Sequence, residues 1–170
     1  YKRQIDGTVK RNLPIRVIRN GTVIDHIPGG MVLQALQIFN VDGRHSNPIS
    51  LVMNVPSRKL WTKDILKIED RELTQEELDR LALIAPIASV SIIRNYSVAE
   101  KLSIQLGDEM VNVARCIYSN CISNAEREPL PHRLKVLKTS PMTLQCHYCG
   151  RIQNLERLVK SLLLSLIHIS

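Results

Sequence analysis

Four cysteines, all beyond position 115, occur as Cys116-x4-Cys121 and Cys146-x2-Cys149, with 24 residues between the pairs. Two close pairs brought together on facing turns place four thiolates about 2.3 Å from a tetrahedral Zn2+ and fill its coordination shell. Such a site uses every cysteine of the chain and leaves no position for water, so it is structural rather than catalytic. Disulfides are one alternative, and a redox CxxC is another. No export signal is visible, and cytosolic thiols stay reduced; a redox pair accounts for Cys146 and Cys149 only. His147, inside the second pair, reads as a spacer beside four available thiols. A lobe of roughly 60 residues buries little core, and metal binding supplies the missing folding free energy.

Upstream of the cysteines the patterns are those of a mixed domain. Ile15-Arg-Val-Ile-Arg19 alternates imperfectly and precedes Asn20-Gly21, a strong hairpin signal, so a leading strand paired with Thr22–Ile27 is expected. Met31–Phe39 lacks alternation and reads as a short buried helix. Ile49–Val55, stopped by Pro56, and Lys63–Glu69 read as strands. Thr74-Gln-Glu-Glu77 is a capping box opening a helix that should run to Pro86. Ala88–Arg94 reads as a strand, and Asn95–Lys101 extends the sheet after a turn. The order strand–helix–strand–strand–helix–strand predicts an α+β fold, a ferredoxin-like αβ sandwich of antiparallel sheet and two helices. A linker is expected over 102–108. A small, mainly β zinc-binding domain follows, with strands at Met110–Arg115, Arg133–Thr139 and Thr143–Cys146. Leu155, Leu158, Val159, Leu162, Leu163 and Leu166 fall on one helical face of the tail, which either lies as a helix on this domain or on a partner, or is unordered.

Twenty-three basic against 16 acidic residues give a formal charge of +7. Residues 1–20 carry +5 and residues 127–170 carry +5, but residues 21–126 carry −3. A zinc-ribbon nucleic-acid-binding protein is therefore the alternative function. The acidic body, the scarcity of aromatics and the lack of Lys or Arg within the cysteine knuckles count against it. No Ser-His-Asp or paired-carboxylate arrangement marks an enzyme. The most apolar run, Leu162–Ile169, is far short of the roughly 20 residues that span a bilayer. The expectation is a soluble, cytoplasmic protein that binds neither membrane nor nucleic acid.

Thr22-Val-Ile-Asp-His-Ile27, Leu66-Lys-Ile-Glu69, Ala85-Pro86 before Val90-x-x-Ile93, Asn95-Tyr96, Cys116-x4-Cys121-Ile-Ser-x-Ala-Glu126 and Cys146-x-Tyr-Cys149 occur in order. In this combination the chain resembles the regulatory chain of aspartate carbamoyltransferase from about Ile15 to Cys149. The resemblance implies a non-catalytic subunit with an N-terminal arm (1–14), a nucleotide-binding allosteric domain (15–101), a zinc-binding domain that contacts the catalytic chain (109–154) and an atypical tail (155–170). It implies a regulatory-chain homodimer, inhibition by CTP helped by UTP, and activation by ATP. Carried over by position, Asp25 and His26 lie near the sugar and phosphates, Lys67 near the ribose and phosphates, and Lys101 at the phosphates. Arg16, Val17 and Ile18 border the base on one side, and Ile93, Tyr96 and Val98 on the other. From the residues alone, His26 is equally a partly buried strand histidine, and each lysine a solvated surface charge. Departures from the family pattern fall at Arg16, Ser91 and Gly150 and in the insert of the first cysteine pair.

Overall fold

The computed structural model describes residues 16–41, 44, 47–104, 106–127, 129–139 and 141–167. Strand β1 (Gly21–Pro28), helix α1 (Val32–Ile38), strands β2 (Ile49–Ser57) and β3 (Trp61–Glu69), helix α2 (Gln75–Leu81) and strand β4 (Ser89–Arg94) follow in sequence. They form the expected split arrangement, and strand β5 (Ser97–Ser103) adds to its edge. The sheet is antiparallel throughout, in the order β2-β3-β1-β4-β5. Strand alternation sends Ile24, Leu66, Ile68, Val90 and Ile92 to one face, where α1 buries Val32, Ala35 and Ile38 and α2 buries Leu78 and Leu81. Among the described residues, the opposite face, the open side of the sheet, carries no helix.

The extra strand is trailing, not leading. Among the described residues 16–20 no strand forms, and Ile15 lies outside them. Asn20 does not turn a hairpin. Its side-chain oxygen accepts the Asn95 amide (3.1 Å) and its carbonyl accepts Asp70 N–H (3.0 Å), while Arg19 carbonyl accepts Tyr96 N–H (2.9 Å). Gly21 follows because a Cβ there would stand 2.1 Å from the Ile68 carbonyl oxygen, at a φ of +136°. Asn95 and Tyr96, at φ +51° and +63°, form the two-residue turn that joins β4 to β5.

Other boundaries shift for local reasons. Strand β2 continues through Pro56, which an edge strand tolerates. The capping box forms, with Glu77 N–H donating to Thr74 Oγ1 (3.3 Å) and Thr74 N–H to Glu77 Oε2 (2.9 Å). Helix α2 nonetheless ends at Leu81. Leu83 and Ile84 donate to carbonyls three residues back, a tighter turn that buries both side chains before Pro86.

The C-terminal lobe is a four-stranded antiparallel sheet of β6 (Glu109–Val111), β7 (Arg133–Thr139), β8 (Met142–Cys146) and β9 (Ile152–Gln153). Strand β6 ends short of the expected Arg115 because Asn112 turns left-handed at φ +57°. Strand β5 runs to Ser103, two residues into the segment expected to be linker. The tail forms helix α3 (Leu155–Ile167), opened by Asn154, whose Oδ1 accepts Arg157 N–H at 2.9 Å. Its Leu158, Val159 and Leu162 are buried, and the helix packs against both α1 and β8. One continuous core joins the two lobes. Among the described residues, no helix is long and apolar enough to cross a membrane.

Candidate metal centre and open sheet face

Cys116 lies in the loop after β6, Cys121 opens a single 3-10 turn (Ile122–Asn124), Cys146 ends β8, and Cys149 sits in the turn before β9. Their four Sγ atoms all lie within 4.8 Å of one another. Cys116 and Cys149 are 3.8 Å apart, and Cys121 and Cys146 are 3.7 Å apart. Zn–S bonds of about 2.3 Å in a tetrahedron put neighbouring sulfurs about 3.8 Å apart, so the donor set fits the ion. Burial pushes the Cys116 thiol up to about 12. At Cys121 burial also raises the thiol, but the Ser123 hydroxyl and backbone outweigh it and bring it down to about 7.

Neighbouring groups fix both knuckles. Asn124 Nδ2 donates to the Cys116 and Tyr118 carbonyls, each at 2.9 Å, and closes the first loop. Gly150 donates to the Cys146 carbonyl (3.0 Å) at φ +67°, which closes the second. Buried Gln153 bridges them, its Oε1 accepting Ile117 N–H at 2.9 Å. Arg151 packs over the Tyr118 ring at 4.8 Å and donates to Asn120 Oδ1 at 3.0 Å. His147 faces away as a spacer does: its Nδ1 is 3.1 Å from Glu109 Oε1.

The open face of the first sheet carries one transverse row. Ser50 pairs with Lys67, Lys67 with Val23, Val23 with Ser91, and Ser91 with Lys101. Paired residues point to the same side, so both lysines rise from this face, three strand spacings or about 14 Å apart at their backbones. Lys67 Nζ donates to the Arg16 carbonyl at 3.0 Å, which ties Arg16 to the face. Asp25 shares the face, and its Oδ1 is 2.8 Å from Lys63 Nζ and 2.6 Å from the His26 amide. His26 bulges from β1 at φ +62°, with its Nδ1 3.5 Å from Asp25 Oδ2.

Ile18 and Ile93 are buried although neither belongs to the main core. Ile93 pairs with Val98, which is half exposed, and Tyr96 and Val17 are more exposed still. The structure thus groups Lys67, Lys101, Asp25, Ile93 and Val98 on one face, with Arg16 tied to it through its carbonyl. Tyr96 stands at the hairpin turn beside Arg19. Lys63 was missed from sequence, although period-2 alternation places it with Lys67.

Two family models match the chain. That of the aspartate carbamoyltransferase regulatory chain, allosteric domain, covers residues 13–105, and that of its metal binding domain covers 108–159. Aspartate carbamoyltransferase regulatory chains from three organisms are similar over most of the chain. The Korarchaeum cryptofilum protein is 44% identical over 154 residues, 91% of this chain and 98% of the relative. That of Methanothrix thermoacetophila is 46% identical over 143 residues (84% and 92%), and that of Thermococcus kodakarensis 40% over 151 residues (89% and 98%).

Proposed function

The chain belongs to the aspartate carbamoyltransferase regulatory chain family, and from that membership we propose that it senses nucleoside triphosphates on the open sheet face and passes the effect to a catalytic chain held by its zinc lobe. It is a non-catalytic subunit with an allosteric and a metal-binding domain. The observation that carries the sensing role is the Lys67–Val23–Ser91–Lys101 row. Two ammonium groups on the open face offer point charges to a triphosphate. The buried Ile18 and Ile93, with the backbone of residues 16–18, offer an apolar edge and hydrogen-bonding groups to a base.

In this reading Lys67 and Lys101 hold phosphates, Asp25 and His26 meet the sugar and phosphates, and Arg16, Val17, Ile18, Ile93, Tyr96 and Val98 border the base. CTP, with UTP, inhibits and ATP activates. Each nucleotide shifts the balance between two assembly states only by its difference in affinity for them. Cys116, Cys121, Cys146 and Cys149 hold one Zn2+, which supplies the filled coordination shell that folds the lobe. That lobe grips the catalytic chain, the chain pairs with a second copy, and the complex works in the cytoplasm.

Reconstitution with the catalytic chain of the same organism tests this. CTP should raise, and ATP lower, the aspartate concentration giving half-maximal rate. A bound complex whose rate responds to none of CTP, UTP and ATP overturns the sensing role.

A further inference from the structure

Asp64 is completely buried among apolar residues on the helix side of β3, and nothing proposed above uses it. Its two oxygens are both engaged. Oδ1 accepts the Asn54 amide at 2.8 Å, and Oδ2 accepts the Val32 amide, at the first residue of α1, at 3.1 Å. Both donors are main-chain groups, and the Val32 amide is buried, so that losing its partner would be costly.

Asp64 lies where both neighbouring strands bulge. On β1, Asp25 and His26 together face Ile65, and pairing resumes at Ile27 with Asp64. On β2, Met53 and Asn54 together face Asp64, and Asn54 turns left-handed at φ +57°. Three consecutive residues of β3 then hold the whole segment from Asp25 to Val32. Lys63 pairs with Asp25 on the open side. Thr62 receives the turn after β1 so closely that a Cβ on Gly29 would stand 2.2 Å from its Oγ1. Asp64 holds Ile27 by strand pairing and Val32 by its side chain. His26 sits inside this span at φ +62°, a conformation that persists only where the surroundings over-determine it.

We propose that Asp64 is a positioning residue for the nucleotide site: its buried carboxyl group fixes the paired bulges and the start of α1, and thereby the one geometry in which Asp25 and His26 meet a nucleoside triphosphate. The proposal rests on the open face being the nucleotide site. It also ties that site to the helix layer, because any displacement of the bulge by a bound ligand pulls on the Val32 end of α1. Helix α1 in turn packs against α3, which reaches the zinc lobe.

Asp64→Asn keeps the shape but puts an NH2 group against one of the two main-chain donors, so one hydrogen bond is lost. In the zinc-loaded chain, calorimetric titration should show CTP and ATP both bound about 10-fold more weakly, with zinc content unchanged. Leu83→Ala is the matched control, since Leu83 is equally buried but makes none of these contacts. It should lose thermal stability and keep nucleotide affinity. Near-wild-type affinity in Asp64→Asn, or an equal loss in Leu83→Ala, overturns the proposal. Should Asp64→Asn fail to fold, the wild-type chain decides the matter. The Val32 and Asn54 amide signals should shift on saturation with CTP, and unmoved signals overturn it. Lys101→Ala is measured alongside. If it leaves both affinities intact, the nucleotide site itself is misplaced and this proposal falls with it. If it weakens both while Asp64→Asn does not, only the role of Asp64 falls.

Discussion

Cys121 Sγ lies 3.7 Å from Cys146 Sγ, so the first and second cysteine pairs meet across a tetrahedral edge and not through a disulfide. Removing the ion leaves four thiols packed together, of which Cys116 and Cys146 are pushed upward chiefly by burial. The two knuckles that carry these thiols are otherwise joined chiefly through buried Gln153. A thiol-directed mercurial should therefore release one Zn2+ per chain and separate the chain from its catalytic partner. A zinc-sensitive dye and sedimentation velocity follow the two events. Complexes that survive stoichiometric zinc loss would contradict the role given to the metal.

Lys101 is exposed on edge strand β5, directly across from Ser91. Truncating it removes a charge and little packing. Lys101→Ala should weaken CTP and ATP alike, by about 10-fold, because the triphosphate is common to both and a charged hydrogen bond is worth about 1.5–3 kcal/mol. Equilibrium dialysis with each nucleotide reads this directly. A loss confined to one nucleotide would move Lys101 from the phosphates to the base.

The elements set by local chemistry were legible in the sequence. Thr74 and Glu77 form the capping box that their spacing demands, and the cysteine pairs meet as their spacing allows. The resemblance read from Thr22–Ile27 and the two cysteine knuckles matched the family found by comparison. What failed depended on distant partners. Asn20-Gly21 carries the local signal of a hairpin, but Asn20 is claimed by Asn95 from 75 residues away and Gly21 by the Ile68 carbonyl. Asp64 reads as an ordinary acidic residue within Lys63–Glu69. Its burial makes sense only with the amides of Val32 and Asn54 in place, 32 and 10 residues away.

Glu72 ties the segment before α2 to the β4–β5 hairpin through both of its oxygens, which accept from Arg94 at 2.8 and 2.9 Å. The Arg94 hydrogen bond is the main cause holding the Glu72 carboxyl below its usual range. A carboxyl lowered in the folded state stabilises fully above its unfolded value, near 4.5, and loses that contribution as pH falls through the folded value. Glu72→Gln should thus melt slightly below wild type at pH 7, and the gap should narrow as pH falls below the unfolded value and through the lowered folded one. Melting curves of the two proteins across this range test the sign. A gap that widens in acid would exclude the pair as its source.

Leu158 is fully buried between the two lobes, on a helix that touches both α1 and β8. Of the alternatives for the tail, a helix on this chain's own domain, a helix on a partner or an unordered end, the structure shows the first, with Leu158, Val159 and Leu162 within the chain's own core. Leu158→Ala removes a side chain from a site walled by two domains, and such truncations cost about 2–5 kcal/mol. Because the core is continuous, the loss should appear as one cooperative urea transition at a lower midpoint, with zinc-lobe and sheet signals moving together. Two separated transitions in the wild-type chain, with only one of them moved by the substitution, would show that α3 belongs to a single lobe. A midpoint unchanged by Leu158→Ala would mean that the helix does not dock.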